Sequence, residues 1–150
     1  MDYEFLIRDL ELNKSQKVLG TDKGLAKLGD AIVNLTYSMA KSMYLTKNNP
    51  NNKIFRTGVK VSKKILATAL KNANMRKFAK TRADAHDFAD TAEALVAYVW
   101  LSKKISLDEI INYLLKNLEG DLNIRNEEIK SATEAFTELF NYIKELLPKK

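Results

Sequence analysis

The sequence predicts an all-α fold in a single domain. Its 150 residues include only 5 glycines and 2 prolines, so few residues interrupt long helices. Between these breaks, apolar residues recur with a period close to 3.6, which is typical of amphipathic helices. Hydrophobic residues make up 45% of the chain, and its length is sufficient for a core that folds alone.

The N-terminal region predicts two helices separated by a break. Residues 2–13 have apolar positions spaced for a short amphipathic helix that packs as a lid. Gly20 begins the break, and Thr21 or Asp22 can cap the helix that follows. That helix is predicted over 23–45, where six apolar residues lie close to a helical period: Leu25, Leu28, Ile32, Leu35, Met39 and Met43.

Asp30 lies in the middle of this apolar helix and directly follows Gly29. A carboxylate among apolar neighbours loses contact with water, so it requires a metal ion, a cation or a hydrogen-bond donor as its partner. Gly29 indicates either the close approach of another backbone or an ordinary packing position, and the sequence favours neither. Asp30 is therefore the first candidate for a functional residue.

The middle of the chain is strongly basic. After a loop of Asn and Pro at 47–53, a helix is predicted over 57–73, and a short helix or turn over 75–79. Between Ala31 and Ala83 the chain has twelve basic residues and no acidic one, although its overall net charge is only +6. Such a one-signed field attracts polyanions such as nucleic acids, but an ordinary lysine-rich surface would give the same pattern.

Three helices complete the predicted fold, which gives about seven in all. The first spans 83–103. The second begins at Ser106, which forms a capping-box pattern with Glu109, and it stops at Gly120. The last spans 126–147. No internal repeat or domain linker interrupts them.

Acidic residues recur at every third position in the helix predicted over 83–103: Asp84, Asp87, Asp90 and Glu93. Residues three apart share a helix face, so these carboxylates form a ladder whose like charges repel unless a cation compensates them. Asp90 and Glu93 run into an apolar segment and are expected at the buried end. If Asp30 faces them, three carboxylates form an all-oxygen site suited to Mg²⁺ or Mn²⁺. The alternative is that these acids face solvent or pair with lysines.

Other kinds of site are excluded or weakly indicated. The chain has no cysteine, so disulfides, thiolate metal sites and cysteine nucleophiles are excluded, and no glycine-rich phosphate-binding motif occurs. His86, the only histidine, lies four residues before Asp90 and can flank the site, although a surface position is commoner for such a residue.

The longest apolar run, residues 94–101, is too short to span a bilayer, and no signal peptide is visible. We expect a soluble, cytoplasmic protein.

Two segments resemble the ribonuclease III family. Residues 25–33, LAKLGDAIV, look like the family's signature helix, roughly LEFLGDAVL. Residues 90–101, DTAEALVAYVWL, look like its second acidic segment, roughly DxxEALIGAIYL. The order and separation of the two segments agree, and a basic helix lies between them. The ordered pair is more specific than either motif alone, and the resemblance covers most of residues 20–105.

The resemblance implies an all-helical endonuclease domain that forms a symmetric homodimer and cuts double-stranded RNA with a divalent metal, usually Mg²⁺. By matching positions, Asp30, Asp90 and Glu93 would be the catalytic and metal-binding residues. The family's glutamate four residues before the signature aspartate is replaced by Ala26, and a further upstream glutamate by Lys23. The site would therefore lack one acidic metal ligand. Such a loss is expected of a one-metal site or of a non-catalytic member of the family.

The minimal, Mini-III-like members of the family also carry a small residue before their Gly-Asp pair, so the chain resembles the short Mini-III-like or archaeal-type members. We therefore expect one nuclease domain over 1–150 and no separate double-stranded RNA-binding domain. RNA contacts would then come from the basic region of the nuclease domain, and the predicted RNA-binding residues are Lys53, Arg56, Lys60, Lys63 and Lys64.

These observations support one leading hypothesis and two alternatives. The leading hypothesis is a dimeric, Mg²⁺-dependent endoribonuclease for structured RNA, with ribosomal RNA precursors among its candidate substrates. The first alternative is a catalytically degenerate RNA-binding or ribosome-associated protein on the same fold, which the loss of an acid at Ala26 motivates. A helical protein-interaction module is the third hypothesis, but it leaves the one-signed charge unexplained.

Overall fold

The structure, a computed structural model that describes all 150 residues, contains helices and loops and no strand, which confirms the predicted all-α class. Two short 3₁₀-helices accompany the α-helices, at Glu4–Ile7 and Arg76–Phe78. No helix combines the length and the apolar character needed to cross a membrane. The seven α-helices are α1 (Arg8–Glu11), α2 (Gln16–Gly20), α3 (Lys23–Lys47), α4 (Lys63–Asn72), α5 (Ala85–Leu101), α6 (Leu107–Lys116) and α7 (Arg125–Lys144).

Helix α5 lies at the centre of the fold. Twelve of its 17 residues are buried, because α2, α3 and α4 all pack against it. Its closest neighbour is α3, and Gly29 lies at the crossing: a Cβ at this position would collide with the carbonyl group of Glu93. This contact resolves the question that the sequence left open, since Gly29 allows two backbones to approach closely.

The N-terminus of α3 is fixed by a side-chain cap. The Asp22 carboxylate accepts a hydrogen bond of 2.8 Å from the backbone N–H of Leu25. Thr21, the other candidate cap, instead donates to the carbonyl of Lys17. Helix α2, which precedes this cap, was not predicted. It begins where the Ser15 side chain accepts from the N–H of Val18.

The prediction of a helix over 57–73 is wrong for its first six residues. Residues 53–62 run in an extended conformation beside α3, and we call this segment the strap. Polar side chains of α3 bond to its backbone and hold it out of a helical conformation. Helix α4 begins only after Ser62, whose hydroxyl accepts from the N–H of Ile65.

The acidic ladder predicted along α5 is also corrected at its first two positions. Asp84 precedes the helix as its N-cap, and its carboxylate accepts from the N–H of Asp87 at 2.9 Å. Asp87 returns the contact by accepting from the N–H of Asp84 at 3.0 Å. The same device begins α6, where the predicted capping box of Ser106 and Glu109 is present. Two of the four acids therefore stabilise the start of α5.

Candidate active site

Asp30 and Glu93 meet where α3 crosses α5. The missing side chain at Gly29 brings the two backbones together, and the carboxyl groups of Asp30 and Glu93 lie within hydrogen-bonding reach of each other. Glu93 is only 2% exposed, whereas Asp30 and Asp90 are half-buried. Three of the predicted site residues therefore lie in one region, with Glu93 the deepest.

Lys63, the first residue of α4, joins the two carboxylates of α5. Its Nζ lies 3.1 Å from Oε1 of Glu93 and 3.3 Å from Oδ1 of Asp90. Lys23 approaches Asp90 from the other side, with its Nζ 3.3 Å from Oδ2. Two ammonium groups thus form three ion pairs with two carboxylates, and none of these pairs involves Asp30.

This arrangement compensates the negative charge of Glu93 only partly. Burial raises the pKa of Glu93 to about 7, the hydrogen bond with Asp30 adds to the increase, and Lys63 opposes it. Burial acts to lower the pKa of Lys63, but its contacts with Glu93 and Asp90 outweigh burial and raise that pKa. A carboxyl group that titrates near neutral pH can hold or release a proton under physiological conditions, which is typical of active sites.

A second buried glutamate provides a contrast. Glu128 on α7 is 5% exposed and accepts hydrogen bonds from the Tyr37 hydroxyl at 2.9 Å and from Arg125 at 3.0 Å. The Nζ of Lys41 lies 2.6 Å from the same carboxylate. Burial alone would raise the pKa of Glu128, but these partners outweigh it and lower that pKa. Glu128 therefore joins α7 to α3 as a satisfied structural group, unlike Glu93.

Asn34 supports the site from the next turn of α3. Its Nδ2 donates to Oδ1 of Asp30 at 3.3 Å, and its Oδ1 accepts from the backbone N–H of Val61 at 2.7 Å. One amide thus orients Asp30 and fixes the end of the strap, directly before Lys63. Asn34 was not among the site residues predicted from the sequence. Its position four residues after Asp30, on the same helix face, was the available signal.

His86 lies at the edge of the site. Its Nδ1 is 3.8 Å from Oδ1 of Asp90, and its side chain is 65% exposed. The distance is too long for a strong hydrogen bond, so His86 flanks the site without contacting its buried part.

The donor chemistry fits a divalent cation, whereas the arrangement of the side chains fits it less closely. Mg²⁺ and Mn²⁺ prefer carboxylate oxygens, and burial, with a smaller contribution from Asp30, raises the pKa of Glu93 because Lys63 offsets it only partly. However, no three His, Cys, Asp or Glu side chains are grouped closely enough to hold a metal ion. Lys63 lies between Asp90 and Glu93, and Ala26 places a buried methyl group one turn before Asp30.

The predicted RNA-binding residues separate into two groups. Lys63 is engaged with the carboxylates of the site. The others are exposed, three on the strap and one at the start of α4: Lys53, Arg56, Lys60 and Lys64.

The matched region of the chain decides its family. The sequence model of the family Ribonuclease III matches residues 23–149, which include α3 to α7, the strap and all three carboxylates. The chain belongs to the ribonuclease III family. No curated protein shows significant similarity to it. Ribonuclease III proteins act on double-stranded RNA and generally use divalent metals. In this ribonuclease III domain, the signature helix is α3 and the second acidic segment is α5.

Proposed function

We propose that this ribonuclease III domain is an endoribonuclease that hydrolyses phosphodiester bonds in double-stranded or structured RNA with Mg²⁺ or Mn²⁺. The observation that carries the proposal is the incompletely compensated pair of Asp30 and Glu93 at the crossing of α3 and α5. The family of the domain supports the choice of substrate. Ribosomal RNA precursors and a cytoplasmic location stay predictions.

Each acidic residue would have a distinct role. Asp30, Asp90 and Glu93 would hold the metal ion, which when bound supplies an activated water and neutralises charge on the phosphate. Glu93 would release its proton near neutral pH, so that two adjacent carboxylates become available to a cation. Asn34 would keep Asp30 oriented towards them, since its amide donates to Asp30 and is itself held by Val61.

The test is the cleavage of a duplex RNA. The variant Asp30→Asn, which keeps the size of the side chain and removes its charge, is expected to cleave more than about 100-fold more slowly than the unmodified protein with Mg²⁺. EDTA is expected to abolish cleavage in both proteins. The control is Asp9→Asn, the same change at an exposed position of α1, which should leave the rate unchanged. Cleavage that persists in EDTA and in Asp30→Asn would contradict the proposal.

A non-catalytic RNA-binding protein is the second candidate. Two observations favour it: Ala26 replaces an acid of the family pattern, and Lys63 lies where it neutralises both Asp90 and Glu93. This candidate predicts duplex binding that is indifferent to Mg²⁺ and to Asp30→Asn, with no cleavage. The same experiment therefore discriminates between the two functions.

The homodimer that we propose would form through α3. Four large apolar side chains share one face of this helix and are exposed: Leu28 at 43%, Leu35 at 51%, Met39 at 44% and Met43 at 36%. Such a stripe on a helix is typical of an interface, and a second copy of the chain would cover it symmetrically.

We expect Leu35→Glu to convert a dimer into monomers, because a charge at the centre of this stripe would lose water without gaining a partner. Sedimentation velocity measures the change directly. Leu12→Glu is the control, since Leu12 is 88% exposed and lies outside α3. A wild-type protein that sediments as a monomer at micromolar concentration would exclude the dimer.

A further inference from the structure

The strap is held to α3 by a regular row of hydroxyl groups. The Ser38 hydroxyl accepts from the N–H of Val59 at 2.8 Å and donates to the carbonyl of the same residue at 3.2 Å. Ser42 makes the same pair of contacts with Thr57, at 3.0 and 3.2 Å. A third pair, between Thr46 and Phe55, has distances of 2.9 and 3.3 Å and extends the row.

The spacing of this row explains the conformation of the strap. Positions four apart on a helix are separated by about 6 Å, and positions two apart on an extended chain by about 6.6 Å. The hydroxyls of α3 therefore bond with every second residue of the strap, which runs antiparallel to the helix. The backbone N–H and C=O groups of the residues between them must therefore point away from α3.

The outward residues form an open edge, which we define as Ile54, Arg56, Gly58 and Lys60. Their backbone N–H and C=O groups make no hydrogen bond within the protein. Ile54 is 61% exposed, and a Cβ at Gly58 would have no atom within 4 Å. Polar backbone groups along an extended edge are available to a partner that offers both donors and acceptors.

The charge of the edge identifies the kind of partner. Arg56 and Lys60 are exposed, and neither forms an ion pair. Four residues of extended chain separate them by about 13 Å. An RNA duplex presents phosphates to such cations, and its 2′-hydroxyl groups both donate and accept hydrogen bonds. A second copy of the strap would instead place like charges together.

The edge leads to the candidate active site. The row of α3 side chains that holds the strap ends at Asn34, which bonds to both Val61 and Asp30. From Asp30 to Thr46 the helix advances by about 24 Å, so the strap extends over this distance from the site. A duplex that lies along the edge would therefore also pass the carboxylates.

We propose that the open edge of the strap is an RNA-binding surface. Arg56 and Lys60 contact phosphates, and the outward backbone groups, with Gly58 at their centre, contact the 2′-hydroxyl groups of a duplex. The proposal rests on the proposed function in one respect, namely that the ligand is duplex RNA. It excludes Lys63 from RNA binding, because the Asp90 and Glu93 carboxylates hold that side chain.

The charge of the edge is tested by fluorescence anisotropy with a labelled RNA duplex in EDTA, where cleavage does not interfere. Arg56→Gln combined with Lys60→Gln is expected to weaken binding about tenfold or more at 50 mM salt. It should also reduce the slope of log K against log salt by about 2, because two phosphate contacts are lost. The control, Lys116→Gln with Lys149→Gln, removes the same charge from exposed positions away from the strap and should have little effect.

The backbone contacts are tested by Gly58→Val, which changes no charge. The extended strap accommodates a β-branched residue, and the space around Gly58 is open, so the thermal unfolding midpoint should not change. The added side chain would keep RNA away from the edge. Affinity for RNA should therefore fall, and the preference of the wild type for an RNA duplex over a DNA duplex of the same sequence should decrease.

The possible outcomes are distinguishable. Wild-type protein that fails to bind duplex RNA would contradict the proposed function itself. If the wild type binds RNA and both strap variants bind equally well, the RNA-binding edge is wrong and the proposed function stands. If the variants instead change the sedimentation coefficient and leave RNA binding intact, a second copy of the chain occupies the edge, which also overturns the proposal.

Discussion

Replacing Glu93 with glutamine is expected to stabilise the metal-free protein at pH 8 by about 3 kcal/mol and to abolish cleavage of duplex RNA. Glutamine keeps the shape of the side chain and removes the charge that burial and Asp30 disfavour. The same charge is required if Glu93 holds a cation. A variant that is more stable and inactive would indicate that the fold retains Glu93 for its chemistry.

The stability difference should depend on pH in a defined window. The pKa of Glu93 is about 7 in the folded protein and 4.5 is its ordinary value, so between these values the folded state binds more protons than the unfolded chain. The free energy of unfolding of the wild type therefore decreases as pH rises from about 4.5 to about 7, and this contribution is constant above that. The Glu93→Gln variant should lack this pH-dependent change in the free energy of unfolding. Urea unfolding in EDTA at pH 4, 6 and 8 measures it.

Glu128→Gln is the matched control, because it makes the same change at the other buried glutamate. Its carboxylate is compensated by Lys41 and Arg125, whose effect lowers its pKa. Removing that charge leaves the Lys41 ammonium, whose side chain is 14% exposed, without its partner. We expect a loss of about 3 kcal/mol at pH 8. If both variants lose stability at pH 8, Glu93 is compensated in the fold and its interpretation as a functional carboxylate fails.

The sequence predicted the helices well where local signals decide them. The 3.6-residue period located α3, and the capping box of Ser106 and Glu109 located the start of α6. The pattern Asp84-x-x-Asp87 was ambiguous, since a spacing of three residues fits both a carboxylate ladder and a capping box. The structure shows the capping box, because the backbone N–H groups at the start of a helix lack partners within it.

Features that depend on packing between distant segments were not predictable in the same way. Residues 57–62 of the strap were predicted to be helical, but the hydroxyls of Ser38, Ser42 and Thr46 bond to the backbone of the strap and hold it extended. Their four-residue spacing was visible in the sequence, whereas their bonding partner was not. Similarly, the charge of Lys63 suggested RNA binding, and only the position of α4 against α5 shows that it contacts Asp90 and Glu93.

At Gly29, the fold and the candidate site both depend on the absence of a side chain. We expect Gly29→Ala to lower the free energy of unfolding by about 3 kcal/mol or more, because the added methyl group would meet the backbone of Glu93, which cannot rotate away. Helix α3 would have to move away from α5, which would also separate Asp30 from Glu93. Urea unfolding measures the first effect, and titration of Glu93 by NMR measures the second.

Gly24→Ala separates this contact from the ordinary effect of glycine in a helix. Both residues lie in α3, but a Cβ at Gly24 would meet only the end of the Asp22 side chain, at 3.3 Å. Alanine favours a helix interior by about 0.5–1 kcal/mol over glycine, and a small shift of the Asp22 cap offsets part of this gain, so the stability of this variant should stay within about 1 kcal/mol of the wild type. Equal effects of the two substitutions would mean that α3 and α5 do not depend on the contact at Gly29. A loss confined to Gly29→Ala, with the pKa of Glu93 returned towards 4.5, would show that the crossing of the two helices creates the unusual carboxyl group.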